Sequence, residues 1–144
     1  MKTLKNDDLD KLRNRQILGF LIGWVLWYGT LIMRDYISNK TIFNILLSVG
    51  LIGNIIFVFY IIKLIRLSNF LNKNDEKKKA LNDELWKENS SKSFSWGFIL
   101  TMFTTIFLLV ISVFCPLSAI VICEIILFVG VVSFLSSFLI FNRN

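Results

Sequence analysis

The sequence predicts an all-α fold: an integral membrane four-helix bundle of two transmembrane hairpins, joined by a charged, partly helical cytoplasmic loop. Three observations carry that expectation. The 144 residues are 55% apolar with a mean hydropathy of +0.65, above the roughly 45–50% apolar content of soluble chains. Charged residues fall in clusters separated by long uncharged runs, and the only proline, Pro116, divides the longest run in two. A water-soluble bundle would repeat charges every three or four positions along each outer face, and these runs do not. The chain accordingly divides into a charged head (1–16), a first hairpin (17–66), a charged loop (67–92) and a second hairpin with a short tail (93–144).

The head carries Lys2, Lys5, Lys11, Arg13 and Arg15 alongside Asp7, Asp8 and Asp10. Those acids, the tryptophans Trp24 and Trp27 in the following apolar run, and the lack of an A-x-A-like cleavage site argue for a retained span and against a cleaved signal peptide. That first run, 17–33, is 17 residues long; the second, 41–62, is 22; and the third, 93–142, is 50 with Glu124 as its only charge. A helix rising 1.5 Å per residue crosses a hydrocarbon core of roughly 30 Å with about 20 residues, so the third run holds two crossings. Pro116 lacks the N–H and the room that a continuing helix needs, so Cys115-Pro116-Leu117-Ser118 reads as a tight turn. The spans are expected at about 17–33, 41–65, 94–114 and 117–141.

The loop 67–92 carries six basic and five acidic residues. Asp75 to Lys79, Asp83 to Lys87 and Glu88 to Lys92 each place an acid four residues before a base, the favourable order for one helical turn. Helix from the second span is expected to run into the cytoplasm and turn back near 72–74. The segment is either a solvated connector or a contact surface for a cytoplasmic or membrane protein partner, with Lys77, Lys78, Lys79 and Trp86 as its candidate residues.

Basic residues set the orientation, because cytoplasmic loops retain Lys and Arg. Fourteen lie in the head, the central segment and the tail, against Arg34 and Lys40 in the first outer loop and none at the Pro116 turn. Both termini are expected in the cytoplasm. The net charge of +6 is then explained by topology and anionic headgroups of the bilayer, without a nucleic-acid partner. Twenty isoleucines, 12 asparagines and 11 lysines against 5 arginines suggest an AT-rich genome and a bacterial plasma membrane.

Zero histidines and two cysteines exclude a His-based metal site, a Ser-His-Asp triad and a Cys-His pair. No cofactor and no catalytic residue is expected. Cys115 and Cys123 are separated by the proline turn, too far for the roughly 7 Å that a disulfide permits, and are expected to be free.

Glu124 demands an account, since an ionisable group within a span costs about 2.5–3.5 kcal/mol on insertion scales. It lies seven residues into its span, about 10 Å deep. Ser48, Thr105 and Tyr28 come to comparable depth, and Thr101, Thr105 and Ser112, with Thr104 adjacent, form a hydroxyl stripe expected to face the carboxyl group. The site is either hydrogen bonding that holds helices together or a proton or cation site.

The fourth span also carries Gly130, Ser133 and Ser137 on a face roughly opposite Glu124, and small residues allow close helix approach in lipid. A helix buried on both faces predicts a homo-oligomer. Gly19 and Gly23 form a G-x-x-x-G pattern on the first span, and Gly50, Gly53 and Asn54 a small polar patch on the second; either is expected to pack within the chain or between subunits. Trp27 and Tyr28 suit an interfacial belt, whereas Trp24 lies too deep for one.

Four short spans with one intramembrane glutamate are similar in outline to the small multidrug-resistance transporters, which work as dimers around a membrane-embedded carboxylate. The similarity is architectural: their glutamate lies in the first span, which here has no acid, and the central loop and one-sided basic bias also depart from their pattern. The expected function is a non-enzymatic small membrane protein acting by helix–helix association, as a regulatory, immunity or effector subunit. The alternative is a proton- or cation-coupled transporter, or an oligomeric pore, centred on Glu124.

Overall fold

The computed structural model describes residues 6–34, 36–72, 84–115 and 117–142. The fold is all-helical, 93% helix and without strands among those residues. Four helices, α1 (Asn6–Arg34), α2 (Lys40–Asn72), α3 (Glu84–Phe114) and α4 (Ala119–Phe141), account for it. All four are long and apolar enough to cross a membrane; the shortest, α4, has 23 residues, about 35 Å at 1.5 Å per residue.

The helices run past the apolar spans. α1 starts at Asn6 within the charged head, α2 continues to Asn72, and α3 begins at Glu84 within the charged segment. Nothing in those flanks breaks a helix, and Glu88 supports α3 through a 2.7 Å ion pair to Lys92 one turn on. The turns supply their own caps. Asn39 Oδ1 accepts from the Thr41 and Ile42 N–H groups at the start of α2, and Ser118 Oγ accepts from Val121 N–H to start α4. Each cap satisfies first-turn donors that no preceding residue can reach. The Ser118 cap moves the start of the fourth helix two residues past the expected position.

α1 packs along α2, α4 along α3, and α1 also meets α4. Within each packed pair, rising numbers on one helix meet falling numbers on the other: Gly19, Gly23 and Thr30 lie against Tyr60, Phe57 and Gly50, Gly97 and Thr101 against Phe134 and Gly130, and Asn14 and Tyr28 against Asn142 and Phe128. α4 is therefore covered on two sides, by α3 and by α1. Among the described residues only Leu9, Leu67, Leu108 and Phe138 are buried apolar side chains, while Ile55, Phe103, Phe107, Val113 and Phe114 are all at least 65% exposed. Exposed apolar surface this continuous marks a membrane or protein contact surface. It matches hydrocarbon.

Candidate functional site

The acid sits on the α1 side of α4. Glu124 and Phe128 are one helical turn apart, and the Phe128 ring stacks on Tyr28 of α1 with centroids 6.3 Å apart. Glu124 is half-buried, and its carboxyl group lies within electrostatic range of the Tyr28 phenol. Behind Tyr28 stands an aromatic layer: Trp24 stacks on Tyr28 at 4.7 Å, and Phe57 of α2 meets Trp24 at 5.5 Å and Trp27 at 5.1 Å. Trp24 thus belongs to packing between helices, and its indole N–H is buried without an acceptor among the described residues.

The hydroxyl stripe does not face Glu124. Thr101 Oγ1 lies 3.3 Å from where a Gly130 Cβ would stand, so the stripe meets the small-residue face of α4. Its hydroxyls are occupied within α3: Thr101 donates to Gly97 O at 2.7 Å, Thr104 to Leu100 O, Thr105 to Thr101 O at 2.9 Å and Ser112 to Leu109 O. Ser48 is likewise exposed and donates to Asn44 O of its own helix. Such bonds to the preceding turn are the default for Ser and Thr in a helix, and they leave Tyr28 as the one expected partner that the fold brings to Glu124. Helical periodicity states which residues share a face; it does not state which neighbour that face meets.

The second face of α4 is also used within the chain. Ser133 is buried and donates to Val129 O at 2.7 Å, with a longer 3.5 Å approach to Gly97 O across the seam. Ser137, on the same helix, is half-buried. Gly19 and Gly23 meet Tyr60 and the Phe57 backbone of α2. Both faces of α4 that had argued for a homo-oligomer therefore meet helices of the same chain.

A polar cluster that the sequence analysis missed closes the opposite end, where the N-terminal parts of α1 and α3 meet the C-terminal part of α4. Arg13, whose side chain is only 12% exposed, pairs with Asp10 at 2.6 Å, and its guanidinium lies 5.2 Å from the centroid of the Trp86 ring. Trp86 in turn packs edge-on to Phe138 of α4 at 6.3 Å. This corrects its expected role as an outward anchor: the ring is committed to α1 and α4. Asn142 donates to Asn14 Oδ1 at 2.7 Å, and Asn14 donates back to Asn142 O at 3.2 Å. Ser93, fully buried, donates to Asn89 O at 2.6 Å. A signal for this cluster does exist in the sequence: Leu9, Arg13, Gln16, Phe20 and Gly23 recur at alternating spacings of four and three, one stripe running unbroken from the charged head into the first span. Lys77, Lys78 and Lys79 lie outside the described residues.

Two cavities open between α1 and α2. One of about 350 Å³ is lined by Trp27, Thr30, Arg34, Phe43, Gly50 and Asn54 among others; one of about 270 Å³ lies toward the polar end and is lined by Arg15, Gln16, Lys63 and Arg66 with Leu9 and Leu67. Glu124 lines neither. Both cysteines are free thiols, and no group of three His, Cys, Asp or Glu side chains able to hold a metal occurs among the described residues. No family model matches the chain, and no curated protein and no solved structure resembles it significantly.

Proposed function

We propose that this is a small multi-pass integral membrane protein, a four-helix bundle of two transmembrane hairpins with both termini in the cytoplasm of a bacterial cell. It acts by association rather than by catalysis, as a regulatory, immunity or effector subunit. The observation that carries this reading is the placing of the inter-helix polar contacts. Arg13 with Trp86 and Asn14 with Asn142 tie α1 to α3 and α4 at the end from which the charged segment between α2 and α3 departs. A fixed platform beneath a charged connector suits docking. A second copy of the chain would have to use the outer faces of α2 and α3, since both faces of α4 are taken.

Charge reversal tests the docking surface. In-cell photo-cross-linking from a photoreactive residue placed at Asn82 should give a discrete adduct that the triple variant Lys77→Glu, Lys78→Glu, Lys79→Glu loses while it still fractionates with the membrane. An adduct pattern indifferent to the reversal would count against the contact surface.

Transport through Glu124 is the second reading, favoured by the proximity of that carboxyl group to the Tyr28 phenol. Flux of protons or monovalent cations in proteoliposomes, abolished by Glu124→Gln with the melting curve unchanged, would establish it. The docking reading expects no flux above empty liposomes in either protein.

A further inference from the structure

Asn54 keeps an unmet polar group after the seams are made. Gly50 and Gly53, its companions in the small polar patch of the second span, meet Thr30, Trp27 and Leu26 of α1. The Asn54 side chain is half-buried and makes no hydrogen bond among the described residues. It stands 14 residues after Lys40 and nine before Lys63, with no charge between them, about 21 and 14 Å along the helix from the two. At that depth no water meets the N–H donors and the carbonyl acceptor of the amide, so another protein group must.

Asn54 also belongs to an apolar stripe. Leu47, Leu51, Asn54, Val58, Ile61 and Ile65 recur at alternating steps of four and three, the heptad spacing of a helix–helix seam. The stripe runs roughly 90° round α2 from the Gly50, Gly53 and Phe57 face that meets α1. Leu47, Leu51, Val58 and Ile65 are each at least 45% exposed. Among the described residues α1 is the one helix that packs along α2, and it leaves this stripe open. Beside the amide, the 350 Å³ cavity is bordered by Leu47, Leu51 and Asn54 of α2 and by Trp27 and Leu31 of α1, a recess for side chains of a facing helix.

We infer that this stripe is the contact between two copies of the chain: a parallel pair of α2 helices in which the two Asn54 amides hydrogen-bond to each other. The depth of the amide selects the partner. Two copies inserted in the same orientation, related by a two-fold axis along the membrane normal, bring each stripe residue opposite itself at one level. A primary amide carries both donors and an acceptor, so it is its own complement. A different protein would need a polar side chain at the same level, whereas a second copy supplies one by symmetry. A single Asn within a heptad seam specifies register, and in lipid an amide bond between helices adds to association. The inference rests on the four crossings and the cytoplasmic termini proposed above, and it assigns self-association to α2.

Two measurements on the full chain test it. Reconstituted in phosphatidylcholine vesicles and labelled with donor and acceptor fluorophores, the protein should show energy transfer that falls on dilution with lipid as a dimer dissociates. Asn54→Leu should weaken that dimer on the order of 10-fold, from about 1–2 kcal/mol for an interhelical amide bond at about 1.4 kcal/mol per factor of ten. Asn54→Gln keeps the amide and should restore most of the association. The SDS-unfolding midpoint at high dilution should be the same for Asn54→Leu as for the unmodified chain, which separates loss of association from loss of fold. In a Cys115→Ser, Cys123→Ser background, Leu47→Cys, Leu51→Cys and Val58→Cys should each give disulfide-linked dimers under an oxidant, and Ile52→Cys and Phe59→Cys should not. A monomer at every dilution, a dimer that Asn54→Leu leaves as tight as before, or cross-linking without the heptad pattern overturns the inference. So does cross-linking at these positions in cells to another protein with no dimer in pure lipid, which would give the stripe to a foreign helix. Resistance to alkaline extraction and protection of both termini from an impermeant reagent report on the crossings and their orientation, so absence of the dimer in a correctly inserted chain falls on this stripe alone.

Discussion

The two long seams of the molecule, α1 against α2 and α3 against α4, both use small residues, yet they bring their helices together in different ways. At the first seam, backbone meets backbone. A Cβ added at Gly23 would stand 2.6 Å from Phe57 N and 2.8 Å from Phe57 Cα, and one added at Gly53 would stand 2.6 Å from Trp27 N. At the second, a Cβ at Gly130 would stand 3.3 Å from Thr101 Oγ1, a side-chain atom. Gly97 is intermediate, 3.1 Å from the Phe134 Cα and Cβ. In lipid there is no hydrophobic drive between helices, so association depends on van der Waals contact and hydrogen bonds. The first seam shows close backbone contact, walled by the aromatic layer of Trp24, Trp27 and Phe57. The second adds hydroxyls, which among the described residues bond mainly to their own helix and cross the seam at the long Ser133 to Gly97 approach. Small residues therefore do not have one meaning; what stands opposite decides how rigidly they are required.

One substitution applied at both seams tests that difference. Gly23→Ala is expected to have the larger effect, because the new methyl group meets backbone that cannot rotate away and the helices must separate. Overpacking of this kind costs about 1–3 kcal/mol, and separation would also open the contact between Gly53 and Trp27. The loss should appear in SDS-titrated unfolding followed by tryptophan fluorescence, since Trp24 and Trp27 stand at the seam. An unchanged midpoint would mean that the two backbones do not approach as closely as the geometry states.

The contrast between the seams also shows what the sequence made legible. The four helices and their apolar stretches followed from uncharged runs whose length matches a bilayer, a property of composition that needs no tertiary knowledge. The Glu88 to Lys92 pair followed from spacing in the same way. The end of α2 at Asn72 was expected as well, but the start of α1 was not, because a charged flank such as the one holding Asp10 and Arg13 is polar in composition but remains helical once Leu9 finds Leu67 and Arg13 finds Trp86. The hydroxyl stripe was grouped by periodicity and aimed at Glu124, whereas its Thr101 meets Gly130. A helix wheel fixes angles within one helix, whereas the pairing of Thr101 with Gly130 and of Tyr28 with Phe128 depends on the order in which helices pack. Arg13 was counted as a topology signal and so was not considered as a buried side chain.

Gly130 provides the smaller effect and the more discriminating one. Gly130→Ala brings a methyl group to within 3.3 Å of the Thr101 hydroxyl oxygen, and that side chain can yield by a few tenths of an ångström or change rotamer. The strain is then offset by the helix propensity of alanine over glycine, about 1 kcal/mol, so the midpoint should move by less than about 1 kcal/mol in either direction. Gly130→Leu cannot be absorbed in this way and is expected to lower the midpoint clearly, while the particle size in detergent stays as it was. That combination follows from a face that meets α3 of the same chain. If Gly130 instead faced a second copy, leucine would change the oligomer and leave the unfolding of the single chain nearly untouched. Light scattering and SDS titration on one preparation therefore distinguish an internal seam from a subunit interface.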